Sequence, residues 1–439
     1  MLLGLPAWAQ PARDAQQQPA AEADKTQWPV AVRWWGQAYV TIETYWGLTV
    51  AIDPYSTEIG YEDPGLSADL VLITHNHADH NNPGIVKGEP KVFAGLSADG
   101  EVRELRVALD RRPNEETPRA GEVDEMGDLS DHAVRAFTVP SYHDDQQGNE
   151  RGRNALWVVE ADGARILHMG DFGQSELTSE QLAHIGNIDL LLIPVGGVYT
   201  VDGETAARIV EQVKPRIVVP MHFKTEPLQI DLAPADAFLG AMPERYQREE
   251  ASGNTVAVSA RRGGGDDAQP RVVSLKFQPW EMPEELAALF EEKEAVQKRS
   301  AEVYRPLSAE QMNFRPSNGT HTPRWNVEHT NGYELSMFSA FYAGADPEIS
   351  RITERPEQMP PDYVPANPEW TGAEEARAIE RTMAFTRRFA YLLDGMALDA
   401  TAQGARLPLG RMVQMMGNHY NEHTSNVEKK FDLPDWPAE

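Results

Sequence analysis

Three histidines and one aspartate fall within six positions in the stretch Thr74-His75-Asn76-His77-Ala78-Asp79-His80. Imidazole nitrogens and a carboxylate at that density are metal ligands by type, and they suit zinc, manganese or iron. The chain has no cysteine, so thiolate ligands and disulfides are both excluded. The cluster directly follows the apolar run Leu70-Val71-Leu72-Ile73, which reads as a buried strand. A loop leaving a strand end can turn several imidazoles toward one point, as a dinuclear site requires.

The same arrangement recurs three more times. A strand at 134–139 leads to Tyr142-His143-Asp144-Asp145, one at 164–169 runs into Gly170-Asp171, and one at 216–220 ends at Met221-His222. Strands packed side by side would bring these ends together along one edge. The candidate ligands are therefore His75, His77, Asp79, His80, His143, Asp171 and His222. Asp53 and Asp145 are candidates for fixing the orientation of an imidazole from behind.

The elements that must position these residues begin with strands at 30–35, 38–44 and 48–52, an antiparallel meander ended by Asp53-Pro54. A short strand at 91–94 and an exposed acidic connection at 114–131 follow. A hairpin forms around Ala161-Asp162-Gly163, then a strand at 188–195 and a helix at 205–213 with Pro215 after its end. Further strands at 255–259 and 271–277 flank a Gly-rich loop at 262–265. Beyond Pro279 the apolar spacing turns helical, predicting helices at 283–304, 326–342, 372–396 and 407–431. A Pro-rich connector at 346–371 separates the second from the third. Four amphipathic helices suggest an up-down bundle. Within it His419 and His423 are four apart and leave one helix face, and His329 on a facing helix could complete an open metal site.

The HxHxDH loop, His143, Gly170-Asp171 and Pro220-Met221-His222 resemble the metallo-β-lactamase-fold hydrolases. Ile52-Asp53-Pro54 and the segment from Tyr199 through Glu204-Thr205-Ala206-Ala207 look most like the ascorbate-6-phosphate lactonase-like branch, which includes N-acylphosphatidylethanolamine phospholipase D. The resemblance implies an α/β fold, an αββα sandwich over 29–280. It also implies two divalent metal ions, zinc first, with manganese or iron as alternatives. His75, His77 and His143 would hold one ion, Asp79, His80 and His222 the other, and Asp171 would bridge them; Asp79 and Asp171 would be the catalytic carboxylates. One departure is Gly36-Gln37-Ala38, where many relatives have histidine in the middle. Farther along, Tyr304-Arg305-Pro306-Leu307-Ser308, Gln311-Met312-Asn313-Phe314-Arg315-Pro316, His329 and the terminal HxxxH are similar to a DinB-like four-helix domain, over 281–432. That resemblance implies a further divalent ion, nickel, zinc or iron, on His329, His419 and His423. His321 reads as a loop residue.

These readings predict a metal-dependent hydrolase that opens a lactone, ester or phosphodiester bond of a small-molecule substrate. The rivals are a phospholipase D-type phosphodiesterase and a metal-binding scaffold without turnover. A formal net charge of −28 opposes nucleic acid and anionic membrane as partners. No apolar run is long enough to span a bilayer. The segment 1–28 resembles a truncated secretory signal closing with Ala7-Trp8-Ala9, followed by a polar spacer, and points to the periplasm or to secretion. A homo-oligomer is compatible with the helical part.

Overall fold

The computed structural model describes residues 28–260, 269–353, 363–403 and 405–438. The leader-like segment before residue 28 and the Gly-rich loop at 262–265 lie outside the described residues. The chain opens with β1 (Val30–Trp34), β2 (Val40–Glu43) and β3 (Thr49–Ile52), and this meander is antiparallel as expected. Then β4 (Leu70–Ile73) and β5 (Lys91–Ala94) extend the sheet in parallel. Next come β6 (Arg106–Asp110), β7 (Arg119–Glu122), a short helix α1 (Val123–Met126), β8 (Val134–Tyr142), β9 (Arg153–Ala161) and β10 (Ala164–His168). The acidic 114–131 segment is thus more than a connection, because β7 pairs antiparallel with β6. This part closes with α2 (Ser179–Ile185), β11 (Leu190–Pro194), α3 (Gly203–Val213), β12 (Ile217–Met221), α4 (Asp236–Ala241), β13 (Gln247–Glu250), β14 (Thr255–Val258) and β15 (Arg271–Ser274).

Two sheets result, in the orders β14-β1-β2-β3-β4-β5 and β13-β15-β12-β11-β10-β9-β8-β6-β7. Their inner faces meet through alternate residues: Val30, Val32, Leu70 and Leu72 from one, Trp157, Val159, Leu190 and Leu192 from the other. Leu191 and Ile193, on the opposite face of β11, pack under α3 against Ala206, Ile209 and Val210. Burial on both faces explains why β4, β11 and β12 read as continuous apolar runs. Helix α3 starts at Asp202, whose side chain accepts the Thr205 amide, and stops at Lys214 in the left-handed region, one residue before Pro215.

The helical part holds α5 (Glu284–Tyr304), α6 (Ala309–Met312), α7 (Pro323–Ala345), α8 (Gly372–Arg388) and α9 (Leu409–Glu428). Both α5 and α7 pack on α8 and α9, which makes a four-helix square. Helix α7 begins three residues before the predicted start, since Thr322 caps it through the Trp325 amide and Pro323 suits the first helical position. The bundle docks on the outer face of the first sheet, where Ala31 and Ala257 join its apolar core. Ion pairs bind the two parts together: Arg271–Asp346, buried, at 3.0 Å, and the partly buried Arg388–Glu43 at 3.0 Å and Arg216–Glu348 at 2.6 Å.

Candidate metal centres

The end of β4 in the first sheet meets the ends of β8, β10 and β12 in the second, and the predicted ligands converge there. One group comprises His75, His77, His143 and Asp171, the other Asp79, His80, His222 and Asp171, with the ligand atoms of each group within 4.8 Å of one another. Asp171 is shared, and its two oxygens face opposite ways. Oδ2 lies 3.1 Å from His143 Nε2 and 3.8 Å from His75 Nε2; Oδ1 lies 3.0 Å from His80 Nε2 and 3.1 Å from His222 Nε2. Asp79 Oδ2 is 3.4 Å from His80 Nε2 and 3.8 Å from His222 Nε2.

Behind these groups, Asp53 fixes the imidazoles. Its carboxylate accepts the Thr74 amide at 2.8 Å, the Thr74 hydroxyl at 2.6 Å and His80 Nδ1–H at 2.8 Å. The Thr74 hydroxyl, whose O–H donates to Asp53, has its lone pairs left for His75 Nδ1–H at 2.9 Å. Both imidazoles therefore carry the proton on Nδ1 and turn Nε2 into the centre. The backbone is bent to suit: Gln37, Asp53 and His222 all sit at positive φ, where residues with a side chain are uncommon. Gly170 is demanded by packing, because a Cβ there would meet Asn154 Oδ1 at 2.5 Å and Thr74 Cβ at 2.8 Å.

Asp145 does not take the role expected of it. It is exposed and accepts from the Gln146 side chain, while the buried neighbour Asp144 accepts four backbone amides and ties the loop after β8. The turn after β8 folds its amides onto Asp144 and leaves Asp145 outside, which the Asp-Asp pair alone did not reveal. Gln37, noted only as a departure, donates from Nε2 to Asp79 Oδ2 at 2.8 Å and so holds that carboxylate in place. Asn154 escaped notice in the sequence; its Oδ1 receives the Asp171 amide at 3.2 Å. No motif marks it, since it lies within an ordinary strand.

The electrostatics of the cluster call for a cation. Burial opposes charge on His80 and His222, yet the Asp171 carboxylate, with Asp79, lifts His80 well above the ordinary imidazole value and His222 to about 9. Burial and the neighbouring imidazoles push His75 well below that value. His80 Nε2, Asp171 Oδ1 and His222 Nε2 are buried and make no hydrogen bond. Buried polar atoms are normally paired, and here all three aim at one point. The donor set and these orphaned atoms fit divalent metal ions. His77 is exposed and Asp79 half-buried, so the centre opens on that side. The loop after β11 stands beside it, tied by the Gly196 amide to the His222 carbonyl at 3.0 Å, and displays Val198 and Tyr199 to solvent.

In the bundle, His329, His419 and His423 also converge, with ring centroids 4.6 to 5.0 Å apart. His423 Nδ1 bonds Asn326 Oδ1 at 2.8 Å, which leaves Nε2 for a ligand. His329 and His321 both stack on Trp325; His321 lies in the loop before α7, as expected. Burial and neighbouring imidazoles lower His419 to about 4 and His423 to about 3. Neutral imidazoles are the metal-binding form. Asn326 is a second residue that sequence reading overlooked, although it stands one turn before His329 on the same helix.

A two-sheet sandwich with histidines and aspartates gathered at its strand ends defines the metal-dependent hydrolases of the metallo-β-lactamase fold. Residues 31–222 match the Beta-lactamase superfamily domain and residues 292–426 the DinB superfamily. A UPF0173 metal-dependent hydrolase of Thermococcus onnurineus is 34% identical over 206 residues, covering 45% of this chain and 86% of that protein. Another, from Thermococcus kodakarensis, is 32% identical over 209 residues, with 45% and 86% covered. The solved structure of a metallo-β-lactamase superfamily protein from Thermotoga maritima is 28% identical, covers 56% of this chain and 98% of its own, and gives a TM-score of 0.38. The chain belongs to the metallo-β-lactamase superfamily of metal-dependent hydrolases and carries a DinB superfamily domain behind that fold. Among the described residues no helix is long and apolar enough to cross a membrane.

Proposed function

We propose that residues 29–280 form a hydrolase domain with a dinuclear centre, in which His75, His77 and His143 hold one ion and Asp79, His80 and His222 the other. Asp171 bridges them. The division of the Asp171 oxygens between two histidine groups carries this reading. Zinc fits a set of imidazoles and carboxylates, and manganese and iron fit it too. When bound, two such cations supply a hydroxide near neutral pH and polarise the bond under attack. Two divalent ions against the carboxylates of Asp53, Asp79 and Asp171 leave one net positive charge, which suits the anionic transition state of attack on a lactone, ester or phosphodiester. Gln37 keeps Asp79 in register, Asp53 keeps His80 and His75 turned inward, and the open side at His77 admits the substrate. Residues 281–432 form a helical domain holding one further ion, nickel, zinc or iron, on His329, His419 and His423. The hydrogen bond that His423 Nδ1–H donates to Asn326 Oδ1 supports that assignment.

The test is metal counting beside a hydrolysis panel of lactones, carboxyl esters and phosphodiesters. Asp171→Ala is expected to lose metal from the first domain and bring hydrolysis close to background, with the third ion retained. Full metal content and full activity in that variant would refute the bridge. Turnover of phosphodiesters alone would select the phospholipase D-type reading, and no turnover by the metal-loaded protein would leave a binding scaffold.

A further inference from the structure

A cavity of about 510 Å³ lies on the seam between the sandwich and the bundle, and none of the clustered histidines lines it. The turn between β2 and β3 contributes Tyr45 and Trp46; β3 then runs its whole length before reaching Asp53 at the dinuclear centre. Five arginines line the cavity, Arg111, Arg305, Arg377, Arg381 and Arg388, against two acidic residues, Glu116 and Glu380. That is a surplus of three positive charges in a chain of net charge −28.

The partners just outside the cavity do not cancel this surplus. Glu374 is shared, its Oε1 accepting from Arg381 at 2.7 Å and its Oε2 from Arg377 at 2.7 Å. Glu43 is likewise divided between Arg388 and Arg33. Arg111 bonds the Trp46 carbonyl at 3.0 Å and has no carboxylate within ion-pair distance among the described residues. Arg381 is 5% exposed, and its Nε is buried without a hydrogen-bond partner. A buried guanidinium nitrogen left unpaired is costly unless an acceptor reaches it. The Arg381 guanidinium also lies over Trp46 at 5.2 Å and Trp370 at 5.7 Å. Tyr45, Trp46 and Arg381 also line a second cavity of about 290 Å³, which Trp28, Tyr363 and Trp370 face together with Glu328 and Glu375.

We propose that this seam binds a small organic oxyanion of the phosphate or phosphonate class, its charged group among the arginines and its apolar body in the aromatic cavity. Planar guanidiniums are matched to such anions by their paired donors. The ligand touches both domains, so its binding free energy also fastens one to the other. The assignment is independent of the hydrolase reading.

The probe is phenylphosphonate, which offers no ester bond to hydrolyse, titrated calorimetrically into the full-length metal-loaded chain, with inorganic phosphate alongside. The double variant Arg111→Gln, Arg305→Gln is expected to weaken phenylphosphonate by at least about tenfold, since each lost charge-assisted bond is worth that much. The single Arg305→Gln should weaken it in part; this side chain is 45% exposed and its ion pair with Glu380 is at the surface, so the unliganded melting temperature is expected to stay unchanged. His222→Ala should bind as wild type. Equal binding by the arginine variants, no saturable binding, or loss in His222→Ala alone would each overturn the site, the last by placing the probe on the metals. Phosphate binding as tightly as phenylphosphonate would overturn the aromatic part.

Discussion

The Asp53 carboxylate accepts one hydrogen bond from His80 Nδ1–H and two from Thr74, and Thr74 passes the constraint on to His75. One side chain thus orients a ligand of each proposed ion. Asp53→Asn would keep the shape but place an N–H₂ against one of these donors. We expect metal affinity to fall about 10- to 100-fold, as loss of such an orienting partner does, measured by competition with a chelator. Unchanged affinity would show that the Nε2 directions are set by packing alone. In the bundle, protonation gives the test. His419 and His423 have folded values of about 4 and 3, below the unfolded value of about 6.5. Above pH 6.5 both states are neutral there and the stability is fully present; as pH falls from 6.5 toward 3 the unfolded chain binds protons that the folded one refuses, and stability is lost. With chelator present, the melting temperature of the wild type should drop more steeply below pH 6.5 than that of His419→Gln, His423→Gln. Parallel curves would mean that these imidazoles titrate as they do in water.

At the scale of elements, the bundle is pinned by a charge pair in its core. Lys293 of α5 meets Glu334 of α7, both wholly buried, and Lys293 also donates to Thr386 of α8 at 3.0 Å while Gln297 donates to Glu334 at 2.7 Å. Three helices are thereby held in one register. Removing only the lysine leaves a buried carboxylate uncompensated, so Lys293→Ala should cost about 3–5 kcal/mol in denaturant unfolding. Lys293→Met with Glu334→Leu should cost far less, because apolar side chains of similar volume need no partner. Equal losses in the two variants would show that packing, not charge, dominates at this point.

For the whole molecule, the bundle rests on the outer face of the first sheet through Ala31 and Ala257 and through three ion pairs. Each half has its own apolar core, and most of the bundle's contacts are internal. The fragment from residue 281 should therefore be soluble and helical when expressed alone, with a melting temperature below that of the bundle in the full chain. Circular dichroism is the measure: a disordered fragment would mean that the sheet face is needed for folding. The arginine-lined seam would be open in that fragment, since Tyr45, Trp46 and Arg111 belong to the other half.

Residue types and spacing sufficed to mark the candidate ligands on one short loop and the histidine pair on one helix, because both geometries are local. Strand ends delivering His143, Asp171 and His222 were also legible, since a continuous apolar run followed by a polar ligand marks a buried strand and its exit. Which way each side chain faces was decided only by the tertiary structure. Asp144 and Asp145 are chemically alike in sequence, and only the turn after β8 buries one and exposes the other. Gln37, Asn154 and Asn326 acquire their roles from partners 42, 17 and 97 residues away. The arginines of the seam come from helix α8, the end of α5 and the loop after β6, and in sequence they look like ordinary surface charge. Long-range juxtaposition depends on how sheets and helices pack, and no local pattern of side chains encodes it.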